Sequence, residues 1–438
     1  MIFYCALFCY IWCAVSAIST DIHLDFIHHN QSDLIKFLNE VNEAYPDLTQ
    51  VYSIGKSGRG RNLWAIAIAG NVNANITLRP HVKYVGNMHG NEVVGRELLL
   101  HLVKYYVSEY STNSTIQQFL NTTVVHILPT MNPDGYAVST INCDSIRGRN
   151  NKNNVDLNRN FPNINNGVEP PLLPIQPETR LIMNWLSQYP FVLSANLHGG
   201  ALVANYPFDH YNYDGAKSEY EAMCPDDDTF VFLASTYASS HSTMYIGAKC
   251  DGYRFKNGIT NGADWYAVKG GMQDYNYLAH GVFELTLEIG CCKYPPASKL
   301  EDFWISNKNA MINFLMEVHR GVKGLILDKS DNSSIVGANL SIMGRESVPF
   351  KSLQNGEYYR LLMPGTSYVL KVSAKGYRPT QHIFSVVEGK VTRLDVHLEA
   401  ESNSTKIFSE EIQDSSSYQI TCISYLPLLV TCSVIAML

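Results

Sequence analysis

The stretch Val82-Lys83-Tyr84-Val85-Gly86-Asn87-Met88-His89-Gly90-Asn91-Glu92 decides the fold. Its first four residues read as a strand, apolar but for Lys83, and a glycine closes the run. From Val93 to Tyr110 the spacing changes, with Val94, Leu98, Leu102 and Tyr106 on one helical face. A strand therefore passes into a helix here, and His89 and Glu92 lie on the turn between them. A His and a Glu three residues apart on such a turn can aim a nitrogen and an oxygen at one ion. Alone the pair is weak, because a chain with 14 histidines contains about one His-x-x-Glu by chance.

Working outward, Thr123 to Leu128 and Phe191 to Leu197 read as further buried strands. Lys308 to His319 repeats apolar residues at helical spacing (Met311, Ile312, Leu315, Val318). Residues 18–320 are thus expected to form an α/β domain, a mixed sheet flanked by helices. After Gly321 the pattern becomes short β-prone runs between turn residues: Val322–Leu327, Ala338–Met343, Tyr358–Leu362, Tyr368–Ser373, His382–Val387 and Val391–Leu398. Roughly seven such strands suggest a small β-sandwich over 321–400.

The two ends read as addresses. Residues 1–17 are mostly apolar with small residues Ala14, Ser16 and Ala17, and read as a signal peptide lacking the usual basic start. Residues 401–438 open polar and Ser-rich and close on the 16 apolar residues Ile423 to Leu438. A greasy tail behind a polar spacer reads as a glycolipid (GPI) anchor signal, with attachment near Asn403–Ser404 or Asp414–Ser417; a terminal membrane span is the alternative. Localisation at the extracellular face of the plasma membrane follows.

Composition agrees with export. The chain has 438 residues, 46% hydrophobic and 17% charged, and a net charge of -7 too evenly spread for nucleic-acid binding. Asn-x-Ser/Thr acceptors occur at Asn30, Asn75, Asn113, Asn121, Asn332, Asn339 and Asn403. Between leader and tail stand Cys143, Cys224, Cys250, Cys291 and Cys292. An odd count allows at most two bridges. Adjacent Cys291 and Cys292 are expected to reach Cys143 and Cys250, in an order the sequence leaves open, with Cys224 spare. Asp226-Asp227-Asp228 is expected to cap a helix starting near Thr229 rather than to bind calcium.

A second histidine raises the first signal. His198 ends the strand run Ala195-Asn196-Leu197 and is followed by Gly199 and Gly200, expected to turn the backbone and leave room beside it. Two His and one Glu, with a fourth position open to water, form a catalytic zinc set.

His89-x-x-Glu92, Asp156-Leu157-Asn158-Arg159-Asn160-Phe161, His198 and Phe283-Glu284-Leu285-Thr286-Leu287-Glu288 occur in an order that resembles the zinc metallocarboxypeptidases. Gly86-Asn87-Met88-His89-Gly90, Asn132-Pro133-Asp134-Gly135, Tyr206-Pro207-Phe208-Asp209, Gly270-Gly271-Met272-Gln273-Asp274 and Cys291-Cys292-Lys293-Tyr294-Pro295 resemble its regulatory branch, that of carboxypeptidases N, E, D and M. The resemblance spans about residues 20 to 400 and implies that the second domain is a transthyretin-like β-sandwich. It also implies one zinc per chain, held by His89, Glu92 and His198.

Further roles follow from the same likeness. Glu288 matches the general base and acid; Glu284, four residues earlier, would face the same side of a strand and is set aside on the motif. Arg149 matches the arginine that stabilises the oxyanion, and Asn158 with Arg159 the pair that grips a terminal carboxylate. Tyr266 matches the capping tyrosine, and Asp209 with Gln273 the pocket for a C-terminal Lys or Arg. Asp156 is expected to orient His89. The implied protein is an extracellular, monomeric carboxypeptidase acting on peptides or proteins ending in Lys or Arg and tethered to membrane by lipid. The rival reading is a catalytically silent binding module; the presence of all of His89, Glu92, His198 and Glu288 favours the enzyme. The resemblance implies a third bridge, within the sandwich, but no cysteine occurs between Cys292 and Cys422 here, so the sandwich is expected to rely on packing alone.

Overall fold

A computed structural model describes residues 22–164, 167–210, 222–247, 250, 254–348 and 350–401. The leader, the tail, Asn403 and both proposed anchor sites fall outside those residues.

Elements run α1 (Gln31–Ala44), β1 (Thr49–Lys56), β2 (Asn62–Ile68), β3 (His81–Gly86), α2 (Val94–Glu109), α3 (Ser114–Thr122), β4 (Val124–Leu128) and α4 (Pro133–Tyr136). A two-stranded hairpin of β5 (Asn163–Ile164) and β6 (Val168–Glu169) precedes α5 (Pro177–Gln188), β7 (Phe191–His198) and β8 (Ala201–Tyr206). Then come α6 (Asp227–Ser240), β9 (Ile259–Asn261), α7 (Gly262–Trp265), α8 (Met272–His280), β10 (Phe283–Gly290) and α9 (Leu300–Met316). Local chemistry sets the ends: Asn30 and Asp33 form a capping box on α1, Asn113 caps α3, and Gly281 closes α8 in the left-handed region.

The described strands of this part form an eight-stranded mixed sheet ordered β1-β2-β4-β3-β7-β10-β8-β9. Central β4, β3, β7 and β10 are parallel, and β7 and β10 are buried along their whole length. One apolar layer packs Val82, Tyr84, Leu193, Ala195 and Leu197 of the sheet with α1, α2, α6 and α9. The opposite face packs Val85 and Leu128 with Ile182 and Trp185 of α5 and Met272 of α8.

The expected strands and α2 form within a residue or two of their bounds, but α9 begins eight residues before Lys308. α2 is also buried more widely than one stripe, because Arg96 and Glu97 turn inward: Arg96 donates to the carbonyl oxygen of His29, and Glu97 accepts from the His29 ring at 2.7 Å.

The second part contains β11 (Val322–Asp328), β12 (Asn339–Ile342), β13 (Phe350–Lys351), β14 (Glu357–Arg360), β15 (Ser367–Ser373), β16 (Thr380–Ser385), β17 (Thr392–Arg393) and β18 (Val396–Leu398). One sheet holds β13-β12-β15-β16; the other joins β14, β17 and β18 to β11. Ile326, Leu340, Leu370, Val372 and Val396 fill the space between them. The expected single strand Val391–Leu398 is split, because Asp395 Oδ1 accepts from the Leu325 amide at 2.8 Å and interrupts the ladder.

Two expectations are corrected here. α6 starts at Asp227 with Asp226 at its N-cap position, but the Asp226 side chain makes no cap bond, and of the three acids it is Asp228 that accepts from the Thr229 amide, at 2.7 Å. Instead Asp226 is fully buried and accepts from Tyr277, Arg345 and Arg360. Arg345 also pairs with Asp228 at 2.8 Å. The sandwich is therefore not held by packing alone, since two of its arginines converge on one carboxylate of the first part.

The bridges are Cys143–Cys292 and Cys250–Cys291, and Cys224 is a buried free thiol. Asn30, Asn75, Asn121, Asn332 and Asn339 are exposed, whereas Asn113 is half-buried at its cap.

Candidate active site

The parallel strands deliver their C-terminal ends to one edge of the sheet, where ligands of such sheets usually bind. The loop after β3 carries His89 and Glu92. Asn87 shapes it: its backbone is left-handed (φ 54°) and its Nδ2 donates to the carbonyl oxygens of His89, Gly90 and Glu92 at 3.0, 3.0 and 3.1 Å. His198 is the last residue of β7. Gly200 sits at φ 123°, which favours glycine, whereas a Cβ on Gly199 would meet ordinary contacts only. Gly199 contributes its N–H, which donates to Glu92 Oε2 at 3.3 Å.

His89 Nδ1, Glu92 Oε2 and His198 Nδ1 converge. The two nitrogens lie 3.0 and 2.9 Å from the oxygen and 3.1 Å from each other. His89 Nε2 is 2.9 Å from Asp156 Oδ1, and His198 Nε2 meets Asn196 Oδ1. Both partners are acceptors, so each ring donates Nε2–H outward and turns Nδ1 inward, where it can offer a lone pair to an ion. Two lone pairs and a carboxylate oxygen at these separations repel unless a cation lies among them. On a zinc tetrahedron with ligand bonds of about 2.0–2.1 Å, ligand atoms stand about 3.3 Å apart. The residues present fit such an ion, and among the described residues this is the one cluster of three or more potential ligands.

Glu288, on β10 and in register beside His198, is 8% exposed, and its Oε2 has no hydrogen-bond partner. Burial, and then the nearby Glu92, push its carboxyl up to about 7. Arg149 bridges Glu92 Oε1 at 3.2 Å and Asp156 Oδ2 at 3.0 Å. Asp156 also accepts from the Asn158 amide at 2.9 Å, so one carboxylate fixes His89, Arg149 and the turn bearing Asn158 and Arg159.

Asn158 Oδ1 is taken by the Met272 amide at 3.0 Å, which leaves its Nδ2 end to donate elsewhere. Asp209, 2% exposed, accepts from Asn205 at 3.1 Å and from Gln273 at 2.9 Å. Gln273 is pinned in turn by the Thr286 amide at 2.6 Å. Burial raises the Asp209 carboxyl to about 6. A Cβ at Gly262 would fall 2.0 Å from Asp209 Oδ1, so only glycine lets α7 approach. Tyr266, directly after α7, is 47% exposed at the mouth of the cleft.

One cleft is lined by His89, Glu92, Arg149, Asn158, Arg159, His198, Asp209, Tyr266 and Glu288. Gln273 and Asp156 stand behind its wall through the bonds above. Asn87, Asn196, Asn205 and Asp274 had drawn no assignment from the sequence. Asp274 accepts from the Asp209 amide at 3.0 Å. Asn196 could have been found, because it lies two residues before His198 on the same face of a strand.

The family model described as zinc carboxypeptidase matches residues 34–310. The chain belongs to the zinc carboxypeptidase family. A carboxypeptidase regulatory-like domain matches residues 321–399 of this family member. Mouse carboxypeptidase M is 47% identical over 359 residues, 81% of this chain and 80% of that one. Mouse carboxypeptidase D is 45% identical over 373 residues, 84% of this chain but 26% of that protein, so this carboxypeptidase-family chain spans about a quarter of that relative. The crystal structure of a carboxypeptidase A from Helicoverpa armigera superposes with a TM-score of 0.53 at 19% identity, over 69% of this chain and 76% of that one, and supports the fold.

Proposed function

We propose that this protein is a zinc-dependent exopeptidase that releases a C-terminal Lys or Arg from peptides outside the cell, with one zinc per chain held by His89, Glu92 and His198. The observation that carries the reading is one cleft joining an inward-facing His-Glu-His set, an unpartnered buried carboxyl and a buried acid. Zinc, when bound, supplies a Lewis acid that makes water acidic near neutrality and polarises a carbonyl oxygen.

The side chains divide the remaining work. Glu288, poised about 7 with a free Oε2, takes a proton from the attacking water and hands it to the leaving amine. Arg149 supplies a fixed cation where negative charge develops on the carbonyl oxygen, an effect typically of about 3 kcal/mol. Arg159 and the Nδ2 end of Asn158 grip the terminal carboxylate, which a mid-chain peptide bond lacks. Asp209, steadied by Asn205 and Gln273, meets the cationic end of the departing residue. An apolar side chain there would leave the carboxylate unpaired, so discrimination is steep. Tyr266 at the mouth closes over the bound end.

Matched peptides ending in Arg, Lys, Phe and amidated Arg test this reading. The first two should lose one residue, the third should react far more slowly, and the amide should be inert. Equal rates on all four would refute it.

The tail carries the proposal of lipid attachment. No helix among the described residues is long and apolar enough to cross a membrane. Release from cells by a phosphatidylinositol-specific phospholipase is the expected result, and persistent attachment would favour a span. Monomeric state and use of the Asn acceptors belong to the same proposal.

A further inference from the structure

The central sheet contains two buried charges for which the proposed reaction has no use. Lys83 on β3 and Glu284 on β10 have fully buried side chains and pair at 2.8 Å. Taking both charges out of water costs several kcal/mol per ion, and an apolar pair of similar volume is often as stable or more so. Stability alone is therefore a poor reason for them. Their register is more informative. Lys83, Ser194 and Glu284 stand side by side across β3, β7 and β10, and two residues further along β7 on the same face come Asn196 and then His198.

Each link in that line has a fixed polarity. The Lys83 ammonium can only donate and the Glu284 carboxylate can only accept. Glu284 Oε2 accepts from Lys83, the Ser194 hydroxyl and the side-chain Nδ2 of Asn276. Glu284 Oε1 accepts from Asn196 Nδ2 at 2.9 Å, and the Leu285 carbonyl oxygen accepts from the same nitrogen at 3.2 Å. Turning the Asn196 amide over would set its oxygen against a carboxylate and a carbonyl. Its Oδ1 therefore faces His198 Nε2 and must receive a proton there. His198 Nδ1 is left on the side of His89 and Glu92, free to ligate.

We infer that the buried Lys83–Glu284 pair is a positioning device that acts through Asn196 and sets His198 as the Nε2–H tautomer before zinc arrives. The inference rests on the reading of His89, Glu92 and His198 as the zinc site. His89 is set more directly, by Asp156 at 2.9 Å. At His198 a neutral amide stands between carboxylate and ring and relays the carboxylate's polarity. Partners of this kind, one bond removed from a ligand, typically affect metal affinity by about 10- to 100-fold.

The test uses the full chain. Zinc affinity is measured by competition with a chromophoric chelator for the parent, for Lys83→Met/Glu284→Leu and for Asn196→Leu. The histidine tautomers of the metal-free parent are read by 15N NMR. The expected zinc dissociation constant rises about 10-fold in the double variant and toward 100-fold in Asn196→Leu, while the metal-free double variant still unfolds in one cooperative transition, at a lower temperature because Ser194, Asn196 and Asn276 lose a shared acceptor. The His198 proton is expected on Nε2 with no metal present. A zinc affinity within twofold of the parent in the folded double variant, or a His198 Nε2 that carries no proton in the metal-free parent, would overturn the inference. If the double variant does not fold, the NMR result decides it. A parent that takes up no zinc defeats the zinc reading itself and leaves the tautomer to be judged by the spectrum.

Discussion

β7 of the central sheet and β15 of the sandwich bury their side chains by different rules. β15 alternates: Tyr368, Leu370 and Val372 point into the core, the residues between them are half-buried, and Ser367 and Ser373 at the ends are exposed. In β7 all eight residues are buried. Alternation survives there as chemistry, with Leu193, Ala195 and Leu197 in the apolar layer and Ser194, Asn196 and His198 bonded to one another's neighbours on the other face. In a strand covered on both sides, a period of two in polarity marks the face that serves a site. In a strand covered on one side, it marks only which way is out.

Glu288→Gln breaks the polar face at its end and should have the largest effect. Turnover is expected to fall by about 10²- to 10⁴-fold with zinc content unchanged, checked by single-substrate kinetics and metal analysis; normal turnover would remove Glu288 from its role. Next comes Asp226→Ala, at the junction between the two parts. It strands Arg360, which is 2% exposed, without its carboxylate, and should lower stability by about 3–5 kcal/mol in denaturant titration.

Leu370→Ala sharpens the contrast. It should lower stability by about 2–5 kcal/mol and leave kcat/KM on an Arg-terminated peptide unchanged, because the sandwich core lines no part of the cleft. A loss of kcat/KM in folded protein would mean that the two kinds of strand are not functionally distinct.

The smallest expected effect is a pH dependence of preference. The Asp209 carboxyl, raised by burial to about 6, is charged above that pH and neutral below it. The ratio of rates for Arg over Phe should therefore rise as pH increases through about 6, by up to about tenfold per unit below it. A ratio flat from pH 5 to 7.5 would exclude Asp209 as the selecting charge.

Much of this was legible from residues alone. The strand-to-helix passage at Val85–Val94 and the sandwich strands from Val322 rest on local periodicity, and the structure forms them close to their expected bounds. Meeting of His89, Glu92 and His198 was raised by their places at two strand ends and secured by likeness to a family, because nothing local relates residues 106 apart. Spacing gave no way to choose between Glu284 and Glu288, which share a strand face. Their surroundings separate them: Glu284 is saturated with donors, whereas Glu288 keeps Oε2 free. Asp226 was misread for a related reason. An Asp before a helix is usually a cap, and only the tertiary fold brings Arg345 and Arg360 to it. The line from Lys83 to His198 crosses three strands, and only its last link, Asn196 two residues before His198, has a trace in sequence spacing.

The most direct test of the account is a zinc titration of metal-free protein, following release of Arg from a peptide with a free C-terminus. The account predicts activity rising linearly to a plateau at one zinc per chain, with His198→Ala neither binding at that stoichiometry nor turning over. Fully metallated protein that releases nothing, or a metal-free preparation that releases Arg at the same rate, would contradict it.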